Sequence, residues 1–229
     1  MINCIVFDMD DTLYDEIDYY RSGFIVVSRI VEDDFKLAEG TVFKILWEIF
    51  SSGNHKTTFD AAAEKLGIVF DRDYIEKLVN IFRSHNPDIS LPSESRIVLD
   101  DLKSRYKLGL ITDGYLPAQE LKVKILGIEK YFDCILYTEK LGRECWKPSP
   151  AGFEKLLTEL GLVANQCVYV GDNLKKDFLS PNQMGFKTIR VVREKRLHTG
   201  QAPSQQALPH CEIDSIAKLP ALLRQMDVV

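Results

Sequence analysis

Residues 2–14 read INCIVFDMDDTLY, and this stretch decides the fold of the chain. Its first half is apolar, which is typical of a buried β-strand. Three carboxylates then follow within four positions, at Asp8, Asp10 and Asp11. Carboxylates this close stay ionised together only where a cation or strong hydrogen-bond donors offset their repulsion. An acidic surface turn is the plain alternative, so residues further along the chain must decide whether this loop binds a cation.

The composition narrows the classes of protein to which the chain can belong. Of its 229 residues, 45% are hydrophobic, which suffices for one large α/β domain or for a core with a smaller domain. No apolar run reaches the roughly 18 residues of a membrane span, and the first run is too short for a signal peptide. The five cysteines form no C-x-x-C pair, which favours reduced, packed thiols. The net charge of −5 and the lack of a basic block argue against a nucleic-acid partner. We expect a cytoplasmic protein without a membrane partner, as a monomer or a small homo-oligomer.

After the acidic loop, apolar residues recur at steps of three and four, which is typical of amphipathic helices. Four such segments follow one another, with breaks at positions rich in glycine and serine, and the last ends near Pro87. We therefore predict an all-helical unit at residues 15–87, inserted directly after the first strand. Residues 1–14 and 88–229 form the predicted α/β core.

From Pro92 onward, helix and strand patterns alternate, which predicts parallel strands joined by crossover helices. After the first strand we expect four more, at residues 107–112, 134–137, 168–171 and 188–192. The predicted fold class is α/β: a doubly wound, Rossmann-like parallel sheet with a smaller inserted all-helical domain.

Several details of the core follow from local patterns. Pro117 suits the first turn of a helix, with Leu121 and Ile125 facing inward. Residues 180–183 fit a capping box at the start of another helix. Residues 198–209 have no periodicity and read as a surface loop, followed by a last helix at 216–223.

Polar residues follow the predicted strands at the point where each strand ends. Asp8 and Asp10 follow the first strand, residues 112–114 (Thr-Asp-Gly) the second, and Asp172 and Asp177 the fourth. In a doubly wound sheet the carboxyl ends of the strands form one crevice, so these groups should converge. Lys147, just ahead of a predicted helix, is the only fixed positive charge among these candidates.

This set of residues suits Mg²⁺ together with a phosphoryl group, because Mg²⁺ takes hard oxygen ligands. One carboxylate can attack phosphorus to form an aspartyl-phosphate, while another transfers protons to the leaving oxygen and from water. The lysine and the metal would neutralise the oxygens of the transferring group. A catalytic-looking histidine or a Ser-His arrangement is missing from the sequence pattern.

These motifs resemble those of haloacid-dehalogenase-superfamily hydrolases of the phosphatase type, whose helical cap follows the first strand. The resemblance implies that residues 15–87 are this cap and that residues 1–14 and 88–229 are the catalytic core. The matching segments occur in the family's order, and they are Asp8-Met9-Asp10-Asp11-Thr12, Thr112-Asp113-Gly114, Lys147-Pro148, and Gly171-Asp172-Asn173 with Asp177. One such motif is weak because it occurs often by chance. Four in order, across residues 2 to 192, are specific.

The resemblance implies a role for each matching residue. Asp8 would be the nucleophile and a metal ligand, and Asp10 the general acid/base, with its backbone carbonyl on Mg²⁺. Asp172 would ligate the metal, and Asp177 would support it or a bound water. The residues implied in phosphate binding are Asp11, Thr112, Asp113, Gly114 and Lys147, of which Thr112 and Lys147 also count as catalytic.

Two positions separate subclasses of the family. Members that cleave carbon–halogen bonds lack an acid two residues after the nucleophile, so Asp10 favours phosphoryl chemistry. The second motif more often reads Thr-Asn-Gly, whereas this chain has Asp113. An anionic side chain near an anionic substrate is unfavourable, so Asp113 either points away or pairs with a cationic or hydroxyl-bearing part of the substrate.

Two groups of residues outside the motifs have competing interpretations. An aromatic group at the start of the cap can line a substrate pocket, although aromatic residues at helical spacing more often form a core; it comprises Tyr14, Tyr19, Tyr20, Arg21 and Phe24. A basic group follows the fifth strand and reads as solvated surface, with a phosphate- or nucleotide-facing role as the lesser possibility; it comprises Arg190, Arg193, Lys195 and Arg196.

The first functional hypothesis is a Mg²⁺-dependent phosphatase acting on a small phosphorylated metabolite through an aspartyl-phosphate on Asp8. A sugar phosphate, an acyl-sugar phosphate or a nucleotide would suit a site under a lid. A phosphomutase using the same intermediate is the alternative within enzymes. A non-catalytic, phosphorylatable or ligand-sensing module is the alternative from another class.

Overall fold

The computed structural model describes residues 1–227 of the chain. These residues divide into two compact units. One comprises Met1–Ile17 and Ser90–Val229, and we refer to it as the core unit. The other, Asp18–Ile89, is the helical unit. Among the described residues, no helix is both long enough and apolar enough to cross a membrane.

The helical unit is built from four helices, the first of which begins in the core unit. They are α1 (Glu16–Phe35), α2 (Thr41–Ser51), α3 (Thr58–Leu66) and α4 (Arg72–Ser84). Gly67 ends α3 in the left-handed region at φ 67°, and the Asp71 carboxylate caps α4 by accepting from the Tyr74 amide. Inside the unit, the Tyr20 ring stacks on Phe50 at 4.5 Å between ring centroids, and the Phe24 ring lies 5.4 Å from that of Phe50. These contacts favour the core interpretation of Tyr20 and Phe24.

The core unit contains one sheet of parallel strands. They are β1 (Cys4–Phe7), β2 (Lys107–Thr112), β3 (Cys134–Tyr137), β4 (Cys167–Gly171), β5 (Lys187–Val191) and β6 (Cys211–Ile213). Their order is β3-β2-β1-β4-β5-β6, so the sheet grows outward in both directions from β1. This order confirms the predicted doubly wound α/β fold. The carboxyl ends of β1 and β4 meet where the strand order reverses, which is where such sheets bind ligands.

β1 is central because its side chains are apolar on both faces. All four of its residues are fully buried, and Phe7 pairs in register with Leu110 of β2 and Val170 of β4. The ladder continues one residue further, since the Asp8 amide donates to the Val170 carbonyl at 2.8 Å. The first acidic residue is therefore held by the sheet itself.

Helices cover the sheet, as crossover connections require. The core unit adds α5 (Ser93–Lys103), α6 (Ala118–Leu126), α7 (Ala151–Leu160), α8 (Leu179–Met184) and α9 (Leu219–Asp227), with short 3₁₀ turns between them. Phe153 and Leu156 of α7 are fully buried and belong to the same apolar cluster as Val6 and Tyr169. This cluster fixes α7, and hence the segment leading into it, against the sheet.

Three sequence-based expectations about the core unit were wrong. The sheet has a sixth strand, β6, whose three residues are too few to produce an alternating pattern. The inward face of α6 carries Val123 and Leu126, whereas Ile125 is 37% exposed. No capping box starts α8, since its N-cap is Phe178 and the Ser180 hydroxyl donates to the Pro148 carbonyl instead.

Close contact between β2 and α7 requires a glycine at position 109. A Cβ added to Gly109 would lie 2.6 Å from Cδ1 of Leu156, which is fully buried. We expect Gly109→Ala to lower the free energy of unfolding by about 1–3 kcal/mol because the helix must shift. Urea unfolding measures the change. Adding Leu156→Val should recover part of the loss, and strictly additive effects of the two substitutions would contradict this account.

Candidate active site

Asp8 occupies the end of the central strand and is almost completely buried. Its exposed fraction is 2%, and its Oδ1 lies 2.6 Å from the Lys147 ammonium. Burial raises the pKa of Asp8 to about 6, against the opposing attraction of Lys147 and with a further rise from Asp177. The site therefore holds a carboxylate that is poorly solvated and directly paired with one cation.

Two more carboxylates lie beside Asp8. Asp8, Asp172 and Asp177 each offer an oxygen, and these atoms lie within 4.8 Å of one another. Oδ2 of Asp172 is buried and has no hydrogen-bond partner within residues 1–227. Burial raises the pKa of Asp172 well above its ordinary value, and repulsion from Asp177 and Asp8 adds to the rise. An orphaned buried oxygen among hard oxygen donors fits a divalent cation such as Mg²⁺.

Lys147 supplies a fixed positive charge at this cluster. Its ammonium lies 2.8 Å from Oδ1 of Asp177 and donates to the Tyr169 hydroxyl at 2.9 Å, with 1% of the side chain exposed. Burial alone would lower the pKa of Lys147, but Asp177 and Asp8 outweigh it and raise the pKa well above its ordinary value. Tyr169 points from β4 into the site, a role that its place in an apolar strand pattern did not reveal.

The loop after β4 is held by Asp177 and Arg190. Oδ2 of Asp177 accepts from the amides of Asp172 and Asn173 at 3.2 and 2.8 Å. Arg190, 8% exposed, donates from Nε to the Asp172 carbonyl at 2.9 Å. Arg193 also has a protein partner, since its Nε donates to Asp15 at 2.6 Å. The surface interpretation of the basic group was wrong for these two arginines, because each meets an acceptor that only the fold brings near.

The Thr112-Asp113-Gly114 turn lies at the end of β2 and contacts Gln119, Thr138 and Lys176. Thr112 is buried and its hydroxyl donates to Gln119 Oε1 at 3.3 Å. Gly114 has φ 140°, and a side chain there would collide with Gln119. The Asp113 carboxylate accepts from the Thr138 hydroxyl at 2.8 Å and from the Lys176 ammonium at 3.3 Å. Asp113 therefore has its own cation, which the sequence patterns did not identify.

Asp10 faces a separate set of donors. Its carboxylate accepts from the Tyr14 hydroxyl at 2.6 Å, from Gln119 Nε2 at 3.0 Å, and from the Lys122 ammonium at 2.9 and 3.0 Å. Burial would raise the pKa of Asp10, but Lys122 and Tyr14 outweigh it, and the pKa is lowered. The Asp10 side chain is thus held ionised by α6 and by its own loop. The predicted metal contact of Asp10 involves its backbone carbonyl and stays a prediction.

The motifs that are separate in the sequence therefore lie close together at the carboxyl ends of β1, β2 and β4. A family model described as haloacid dehalogenase-like hydrolase matches residues 5–191. The chain belongs to this family. Two curated relatives and one solved structure illustrate how far the similarity extends.

Glyceraldehyde 3-phosphate phosphatase of Methanopyrus kandleri is 28% identical over 235 residues, covering 99% of each chain. N-acylneuraminate-9-phosphatase of Homo sapiens is 25% identical over 242 residues, covering 99% of this chain and 95% of the relative. The crystal structure of 2-haloacid dehalogenase from Pseudomonas syringae superposes with a TM-score of 0.67 at 26% identity, covering 99% of this chain and 100% of the other. The chain is similar to these hydrolases along its whole length.

Asp11 shapes the active-site loop of this haloacid dehalogenase-like hydrolase. It is fully buried with φ 53°, and its carboxylate accepts from the amides of Glu16 and Leu197 at 2.9 and 2.7 Å. Burial raises the pKa of Asp11 to about 6, although the amides of Leu197 and Glu16 oppose the rise. The carboxylate thus ties the start of α1 to the segment after β5.

Sequence reasoning missed Gln119 and Lys122, which both contact Asp10. They lie on the same face of α6 as Val123 and Leu126, at helical steps of three, four and seven residues from Gln119. The available signal was a lysine on the same helix face as apolar residues, since a lysine that is buried there needs a partner. Lys147 is therefore not the only cation near these motifs, because Lys122 and Lys176 also pair with acidic residues of the site.

Removing the Lys122 charge should destabilise the core unit. The Lys122 side chain is 3% exposed and also lies 3.8 Å from Glu16, so Lys122→Met would leave Asp10 and Glu16 without this cation. We expect the free energy of unfolding to fall by about 3 kcal/mol, as measured by urea denaturation. Lys124→Met removes the same charge from an exposed position of α6 and is the matched control. Equal stabilities of the two variants would show that the Lys122–Asp10 pair contributes nothing.

Proposed function

We propose that this protein is a Mg²⁺-dependent phosphatase that hydrolyses a small phosphomonoester through an aspartyl-phosphate on Asp8. The observation that carries the proposal is the buried Asp8 carboxylate, 2.6 Å from the Lys147 ammonium and grouped with Asp172 and Asp177. A nucleophile, a cation for the phosphoryl oxygens and a set of hard oxygen ligands therefore lie at one point of the sheet.

The metal would be held by Asp8 and Asp172, with Asp177 beside them and the Asp10 carbonyl as the predicted backbone ligand. A Mg²⁺ ion held there would neutralise charge on the phosphoryl oxygens. Asp177 was predicted to support this set from outside. In the structure it offers an oxygen to the same cluster while it also organises the loop after β4.

The proposed reaction has two steps, and both use side chains of the core unit. The Asp8 carboxylate attacks phosphorus, the bond to the ester oxygen breaks, and Asp10 gives that oxygen a proton. Asp10 then takes a proton from water, which attacks the aspartyl-phosphate, so inorganic phosphate is released and Asp8 is restored. The first step needs Asp10 protonated, whereas Lys122 and Tyr14 lower its pKa in the structure. Asp10 must therefore exchange its contacts with Tyr14, Gln119 and Lys122 for the substrate oxygen, where it can carry a proton.

Phosphate binding is assigned to groups that surround the nucleophile. The Thr112 hydroxyl and the backbone amides of Asp11, Asp113 and Gly114 are the proposed neutral donors, and Lys147 is the charged one. Such donors stabilise the charge that develops on the transferring group, because they are fixed before the reaction begins.

The substrate class follows from Asp10 and from the relatives. An acid two residues after the nucleophile supplies a proton to an alkoxide leaving group, which a halide does not need. The relatives are named for glyceraldehyde 3-phosphate and N-acylneuraminate 9-phosphate, both small phosphorylated compounds with several oxygen substituents. We propose sugar phosphates and their acylated derivatives as the substrate class, and a cap role for the helical unit.

The first test measures phosphate release from p-nitrophenyl phosphate and from a panel of sugar phosphates with Mg²⁺. We expect Asp8→Asn to lower kcat by more than about a thousandfold, because a carboxamide cannot form the intermediate. Asp60→Asn removes the same charge from an exposed position of α3 and should leave the rate unchanged. Equal rates for the wild type and Asp8→Asn would refute the proposed mechanism.

The second test concerns the metal. We expect Asp172→Asn to raise the Mg²⁺ concentration for half-maximal activity by about tenfold or more, because it removes a ligand charge. A titration of activity with Mg²⁺ after treatment with a chelator measures this shift. An unchanged titration curve would refute the assignment of Asp172 as a ligand of a Mg²⁺ ion that the activity needs.

A further inference from the structure

Asp113 contacts donors from several separate segments of the core unit. Its Oδ1 accepts from the Thr138 hydroxyl, just after β3, at 2.8 Å and from the Lys147 amide, just before α7, at 3.2 Å. Its Oδ2 accepts from the Lys176 ammonium, in the loop after β4, at 3.3 Å. One carboxylate thus joins the turn after β2 to segments that carry Lys147 and Lys176.

An uncharged amide would fit these neighbours less well than a carboxylate. An asparagine side chain has one acceptor oxygen and an NH₂ group that can only donate. The Lys147 amide and the Lys176 ammonium are both donors, so an NH₂ group turned toward either would be left without an acceptor. The side chain of Asp113 is 4% exposed, so its negative charge needs a cation nearby.

Lys176 supplies that cation, because its ammonium lies 3.3 Å from Oδ2 of Asp113. Its side chain is 28% exposed, and it precedes Asp177 directly in sequence. Burial alone would raise the pKa of Asp177, but Lys147 and then Lys176 outweigh it, and the pKa is lowered. The charge of Lys176 therefore stabilises the ionised form of Asp177 as well as that of Asp113.

We propose that Lys176 is a positioning residue that neutralises Asp113 and holds its carboxylate away from the phosphate, so that the Thr112-Asp113-Gly114 turn presents its donors to the substrate. This inference rests on the proposed function, because phosphate binding by that turn is part of it. It also bears on the question that the sequence left open, because the Asp113 carboxylate accepts from the Thr138 hydroxyl, the Lys147 amide and the Lys176 ammonium.

Steady-state kinetics with p-nitrophenyl phosphate, and competitive inhibition by inorganic phosphate, test the proposal. Lys176→Met leaves an uncompensated carboxylate near the phosphate, so we expect KM and the inhibition constant to rise by about tenfold or more. Lys176→Arg keeps the charge and should lie near the wild type. Lys175→Met removes the same charge from the adjacent, exposed position and should change neither constant.

The decisive variant is Asp113→Asn combined with Lys176→Met. Removing both charges should restore phosphate affinity relative to Lys176→Met alone, because the repelling carboxylate is gone. Purely additive losses, or a loss in Lys175→Met equal to that in Lys176→Met, would overturn the positioning role. The cycle consists of the wild type, Asp113→Asn, Lys176→Met and the double variant, and thermal denaturation of all four shows whether a weak variant is unfolded. If the two substitutions are coupled in stability but not in phosphate affinity, the contact is structural and the positioning role is refuted.

The experiments distinguish a failure of the positioning role of Lys176 from a failure of the proposed phosphatase function. If the wild type is active and Asp8→Asn is inactive, additivity between Asp113 and Lys176 overturns only the positioning role. If the wild type neither turns over phosphoesters nor binds inorganic phosphate, the proposed function and the positioning role both fail.

Discussion

The contact of the Lys147 ammonium with Asp8 and Asp177 is the interaction on which the rest of the structure depends. All three groups are buried, and buried charges are tolerated only when they are paired and hydrogen-bonded. The sheet makes this possible, because the ladder of β1 fixes Asp8 and the apolar cluster under α7 fixes the segment that carries Lys147. Packing energy from the apolar core thus holds in place a set of charges that would separate in water.

The other acids of the site each have a different kind of partner, and this difference separates their proposed functions. Asp10 faces a lysine, a tyrosine and a glutamine, and the net effect is a lowered pKa. Asp11 accepts from two backbone amides and shapes the loop. Asp172 keeps a buried oxygen without a partner among the described residues, which is what a metal ligand requires. Chemically identical carboxylates therefore differ because their neighbours differ.

Local patterns predicted the elements well where the chain is strongly apolar and regular. The strand at 107–112 has the predicted bounds, and those around 168–171 and 188–192 differ by one residue. The patterns failed where the orientation of a side chain depends on a partner that is distant in sequence. On α6, Leu121 and Ile125 also have helical spacing, but Lys122 turns inward because Asp10 lies there. Arg190 is buried for the same reason, since it donates to the Asp172 carbonyl.

The sequence by itself determined the family, the doubly wound sheet and the residues that meet at its edge. The family follows from four motifs in the expected order, and the sheet follows from the periodicity of its strands. The residues at its edge follow from the rule that parallel strands end in one crevice. The tertiary structure decided which cation serves which acid: Lys147 for Asp8, Lys122 for Asp10 and Lys176 for Asp113. These pairs join residues that are far apart in the chain. Coulomb attraction depends on the distance between charges in space, and periodicity along the chain does not predict that distance.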